Sequence, residues 1–156
     1  MIIIVNIMKK TLKWFFIVGL ITLVGIQFIP ADVNKQEVIS SSDIRNVYDV
    51  PDNVMNILEN SCYDCHSNNT NYPWYSLVQP IRLIMDHHIE EGKEELNFSE
   101  FANYSERRKR NKMRAISEQI EKSKMPLPSY LWLHSDAIIT PSQKDSIVAF
   151  INDQKN

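Results

Sequence analysis

The chain has 156 residues, with 3 glycines, 7 prolines, 2 cysteines and a formal net charge of −2. At 44% hydrophobic and 23% charged it is neither a disordered nor a collagen-like chain, and its length allows one compact domain with a short appendage. So few glycines disfavour a sandwich or barrel, whose turns need many positions with φ > 0. They also exclude a Gly-rich phosphate loop, and two cysteines cannot build a disulfide framework.

Leu12 to Ile29 carries a single charge, Lys13, and its 18 residues are the lower limit for a transmembrane helix. Lys9, Lys10 and Lys13 precede the run, and the next basic residue is Lys35. The positive-inside rule then predicts residues 1–30 as an uncleaved signal anchor, with the rest of the chain exported. A cleaved signal peptide is the alternative, but no A-x-A-like site follows the run. Fourteen of the 17 basic residues and all 19 acidic ones lie after Pro30, giving this part a net charge of −5. That balance argues against nucleic acid as a partner, and the run Arg107, Arg108, Lys109, Arg110, Lys112, Arg114 reads as the solvated face of a helix.

Residues 31–50 are polar and without apolar period, which predicts a linker to a domain over 51–156. Pro51-Asp52 opens a first helix with Val54, Ile57 and Leu58 inward. Asn68 to Pro73 is turn-rich. A second helix is expected over Leu77 to Glu91, with Leu77, Ile81, Ile84 and His88 on its inner face and Gly92 as its C-cap. A third, highly charged helix runs from Ser105 to Lys124 on the stripe Met113, Ile116, Ile120, and Pro126 and Pro128 stop it. Thr140-Pro141 with Gln143 is a capping box for a last helix that turns Ile147, Val148 and Ile151 inward. The expected domain is all-α, with about four helices behind a single N-terminal transmembrane helix.

The end of the first helix carries Cys62-Tyr63-Asp64-Cys65-His66. Two thiols three positions apart on a helical turn can each add to one vinyl group of haem, and the adjacent imidazole then falls under the iron. The motif therefore predicts covalent haem c, with iron ligated by His66. A thioredoxin-like dithiol would need a βαβ context, and a zinc site would have to recruit two of His66, His87, His88 and His134. For the sixth iron position the candidates are Met125, His88, His87 and His134. Met125-Pro126 resembles the class I cytochrome c pattern, in which a Met-Pro late in the domain closes the distal side. His88, on the expected inner helix face, is the alternative distal ligand. Pro80 stands at an offset from His66 similar to that of the class I proline whose carbonyl accepts the proximal imidazole N–H, an arrangement that raises ligand basicity. Tyr72, Trp74 and Tyr75 directly after the motif suit a pocket edge, with aromatic rings on the porphyrin and polar tips outward.

Taken together, Cys62 to Tyr75, Pro80, His88 to Lys93, Leu96 to Ser99, Met125-Pro126, Tyr130 and His134 resemble the haem-binding-domain family of membrane-anchored bacterial proteins, a cytochrome c-like group. Two departures are mild: Lys93 and Phe101 stand where the pattern has Arg and Trp, which touches a propionate contact and one packing contact. The resemblance implies a cytochrome c-like mono-haem domain held at the bacterial cytoplasmic membrane and facing the periplasm. The expected function is one-electron transfer to and from redox proteins with a basic docking patch. A haem enzyme or sensor with an open sixth iron site is the alternative.

Overall fold

The computed structural model describes residues 2–36 and 38–154. Among them are seven α-helices, four 3₁₀ turns and no strand, and a lone antiparallel bridge joins Lys35 to Asn69. The chain divides into two compact units: Met1–Val33 with Pro73–His87, and Asn34–Tyr72 with His88–Asn156.

The first unit contains α1 (Ile2–Ile26), the 3₁₀ turn Trp74–Leu77 and the start of α4 (Ile81–Glu95). After Ile26 the backbone tightens into i→i−3 bonds from Gln27, Phe28 and Ile29, so the apolar run is not helical to its end. The Gln27 side chain donates to Gln79 O at 3.2 Å and accepts from Gln79 N at 3.0 Å. Because α1 stops at Ile26, every 18-residue stretch within it includes Lys9, Lys10 and Lys13. Among the described residues no helix is long and apolar enough to cross a membrane. This corrects the expectation of an N-terminal transmembrane helix and, with it, of a single-pass membrane location.

The expected inner face of the second helix is also corrected. Leu77, Ile81 and Ile84 are exposed, while Arg82 and Ile89 are buried. Arg82 is held by Asp86 one turn on, at 2.7 Å, and donates to the Asp32 carbonyl.

The second unit holds the core. α2 (Asp52–Ser61) contributes Val54, Ile57 and Leu58. α5 (Glu106–Glu121) contributes Met113 and Ile120, and α7 (Pro141–Asp153) contributes Ile147, Phe150 and Ile151. These stripes recur at helical spacing, which is why one face of each helix can be buried. α7 packs against both α2 and α5. Ser105 caps α5 through its side chain, and Thr140 and Gln143 complete the capping box of α7. Two further contributions come from outside the expected helices. The 3₁₀ segment Phe98–Asn103 buries Phe98 and Phe101, and Ile44 enters the core from the stretch expected to be a linker. Asp43 beside it is 1% exposed, with its carboxylate accepting from the Tyr63 hydroxyl at 3.0 Å and from Arg45 Nε at 3.0 Å. Asp43 and Ile44 thus belong to the packed unit rather than to a free tether, and Asn34, Ser42, Asp43 and Asn46 spend side-chain polar groups on internal hydrogen bonds, which polarity alone does not distinguish from solvation.

Candidate functional site

The motif sits on two consecutive turns. α2 ends at Ser61, and α3 (Tyr63–His66) re-forms after a kink at Cys62, whose φ of −131° breaks the helix. Cys62 N–H still donates to Leu58 O, and His66 N–H to Cys62 O, so the kink stays tied on both sides. Both cysteines are free thiols. Burial pushes the Cys62 thiol up to about 12 and the Cys65 thiol to about 11, with the neighbouring Cys65 and Asp64 adding smaller increments. A redox dithiol needs the opposite shift, because its thiolate is the nucleophile. The thioredoxin-like reading therefore lacks both its strands and its electrostatics. No group of three or more His, Cys, Asp or Glu that could hold a metal ion occurs among the described residues, so the zinc reading has no cluster to use.

The His66 ring is oriented by backbone. Its Nδ1 lies 2.8 Å from Gly92 O and 3.0 Å from Leu96 O. Carbonyl oxygens only accept, so Nδ1 carries the proton and the lone pair is on Nε2, the state required of an imidazole ligand. The Pro80 carbonyl accepts instead from Ile84 N–H at 3.2 Å in the first turn of α4. Gly92 is likewise not a C-cap. α4 continues to Glu95, and Gly92 is the point where the helix meets the motif. A Cβ there would stand 2.6 Å from the Cys65 carbonyl oxygen and 3.3 Å from Cys65 Cβ. Only glycine lets α4 approach closely enough for its carbonyl to reach His66.

Around this centre the structure brings together side chains that flank the motif. Phe98 meets the His66 ring edge-on at 6.5 Å and stacks on Tyr63 at 5.2 Å. The following residues close the turn: Ser67 Oγ donates to Tyr63 O at 2.7 Å, Thr70 Oγ1 to Asp64 O at 2.6 Å, and Asn97 Nδ2 to Asn68 Oδ1 at 2.8 Å. Asp64, between the two cysteines, accepts from Asn71 N at 2.9 Å and from the Tyr130 hydroxyl at 2.7 Å. Tyr130 stacks on His134 at 3.9 Å. Burial, and then this bond to Asp64, keep the Tyr130 hydroxyl protonated far above the ordinary tyrosine range.

The remaining expected residues are spread more widely. Tyr72 turns its hydroxyl to accept from Asn34 N at 3.0 Å, and Lys93 Nζ donates to Asn34 Oδ1 at 2.6 Å. Trp74 and Tyr75 lie in the first unit, packed edge-to-face at 5.8 Å, with Trp74 80% exposed. His88 is half-buried on α4. Met125 is 36% exposed, and its N–H donates to Gln119 O at 3.4 Å. Sequence reasoning missed Gly92, Leu96 and the Asp64–Tyr130 pair as site components. Backbone acceptors carry no side-chain signature. A lone Gly inside a helical pattern was the one available pointer to a close approach.

Two free thiols and an imidazole with an available Nε2 lie on one kinked helical stretch, a donor set that fits haem. The chain matches the haem-binding domain family over residues 21–153, and belongs to it. It is a haem-binding protein. No curated protein and no solved structure matches the chain.

Proposed function

We propose that the protein is a mono-haem c-type cytochrome that carries one electron at a time. In this reading Cys62 and Cys65 hold haem through thioethers, His66 Nε2 is the proximal ligand and Met125 the distal one, with His88 the alternative. The observation that carries the reading is the His66 imidazole, fixed by two carbonyls in the tautomer that offers Nε2, on the same stretch as two unpaired thiols. When bound, haem supplies an iron that changes between ferric and ferrous states. The chain's residues do the rest. The Gly92 and Leu96 carbonyls hold the proton at His66 Nδ1 and leave Nε2 available as the ligand atom. Phe98, Tyr63 and the buried Asp43 keep the ring from turning. The acidic balance after Pro30 suits a redox partner that presents a basic patch.

Carbon monoxide tests the reading. A two-ligand carrier has no open iron position, so the reduced full-length protein is expected to leave added carbon monoxide unbound. Fast and complete binding would instead make it an open-site haem enzyme or sensor.

A further inference from the structure

Met125 is held in a short stretch pinned at both ends. On one side its N–H donates to Gln119 O at 3.4 Å, at the end of α5. On the other, Leu127 O accepts from Tyr130 N at 3.0 Å and Leu131 N at 3.2 Å, which winds α6 (Pro128–Leu131) directly after Met125-Pro126. α6 is a single turn with no buried side chain and no side-chain cap, so it cannot hold this stretch in place by itself. What fastens it is polar. The Tyr130 hydroxyl donates to Asp64 Oδ2 at 2.7 Å, sixty-six residues away in sequence. Tyr130 is braced in turn by His134, stacked at 3.9 Å with an interplanar angle of 13°, whose Nδ1 lies 3.0 Å from Tyr130 O. Asp64 itself cannot swing away, since its other oxygen accepts from Asn71 N at 2.9 Å and its carbonyl from Thr70 Oγ1 at 2.6 Å.

We infer that the Tyr130–Asp64 bond is a latch: it ties the Met125 stretch to Asp64, between Cys62 and Cys65, and so would hold Met125 in reach of a haem iron ligated by His66. Tyr130 and Asp64 are positioning residues that act through Met125. The inference rests on the His66/Met125 reading above. A donor to a carboxylate is worth more than a neutral hydrogen bond, so losing it shifts the closed-to-open ratio by roughly tenfold or more. An added ligand that competes with Met125 then gains apparent affinity by the same factor, because it binds only the open form.

The test is an imidazole titration of the ferric, full-length, haem-loaded protein, with Tyr130→Phe, Asp64→Ala and Met125→Ala compared with the wild type. Tyr130→Phe keeps the ring on His134, and Asp64→Ala breaks the same bond from its other end without touching α6. Each is expected to bind imidazole roughly tenfold more tightly than the wild type or better. In the Met125→Ala background Tyr130→Phe should change nothing further, an outcome that a general loosening of the fold would not give. Wild-type affinity in both Tyr130→Phe and Asp64→Ala overturns the latch, as does an undiminished Tyr130→Phe effect in the Met125→Ala background. Wild-type affinity in Met125→Ala itself has a different meaning: Met125 is then no ligand, and the His66/Met125 reading falls together with the latch.

Discussion

A β-carbon at position 92 would stand 2.6 Å from the Cys65 carbonyl oxygen, and that oxygen belongs to backbone that cannot rotate aside. Two effects compete in Gly92→Ala. Alanine gains up to about 1 kcal/mol of helix propensity inside α4. Overlap with fixed backbone costs about 1–3 kcal/mol, and it also pushes away the carbonyl that orients His66 at 2.8 Å. The overlap should win. Gly92→Ala is expected to destabilise the protein by a net ~1 kcal/mol, read as a lower urea midpoint, and a raised midpoint would show that α4 does not need this close approach. The same residue illustrates how local reading fails. Near the end of a helical pattern a Gly resembles a C-cap, and only the neighbouring element reveals that the missing side chain is what matters.

At the scale of elements, α2, α5 and α7 were legible because each combines a start signal with an apolar stripe of helical period. Asp52 after Pro51, Ser105, and Thr140 with Gln143 all mark the observed starts. The α7 cap offers a direct check. Thr140 Oγ1 accepts from Gln143 N at 3.3 Å, and Gln143 Oε1 accepts from Thr140 N at 2.8 Å. Thr140→Ala breaks this exchange and should destabilise the protein by about 1 kcal/mol, read as a lower denaturation midpoint with an unchanged slope. Elements without such periodicity were missed. Phe98–Asn103 is too short for a 3.6-residue pattern, although it supplies Phe98 and Phe101, at 1% and 0% exposure. The stretch around Asp43 and Ile44 looks like solvent-loving linker because its burial depends on partners far along the chain, such as Tyr63 for Asp43. The N-terminal run failed as a span for a third reason. The apolar run extends to Ile29, whereas the helix ends three residues earlier and keeps its three lysines within any span-length stretch.

At the largest scale, α2 leads into Cys62, α3 carries Cys65 and His66, Gly92 in α4 and Leu96 just after it turn their carbonyls to His66, and Phe98–Asn103 packs against α3. The motif residues stand out in the sequence by a spacing that thioether attachment of haem would require. Their support does not, since it comes from main-chain atoms and from single long-range pairs such as Asp64–Tyr130. Part of the basic run on α5 is paired with carboxylates. Lys109 pairs with Glu106 at 2.9 Å and Lys112 with Glu95 at 3.3 Å, while Arg108 lies 4.2 Å above the Tyr104 ring. All of this depends on haem being joined to the chain through Cys62 and Cys65. The most direct measurement is the pyridine haemochrome spectrum of the purified protein after acid–acetone extraction. The account predicts a c-type spectrum that stays with the polypeptide and is lost in Cys62→Ala/Cys65→Ala. Haem that leaves with the solvent, or a retained spectrum of b type, would contradict it.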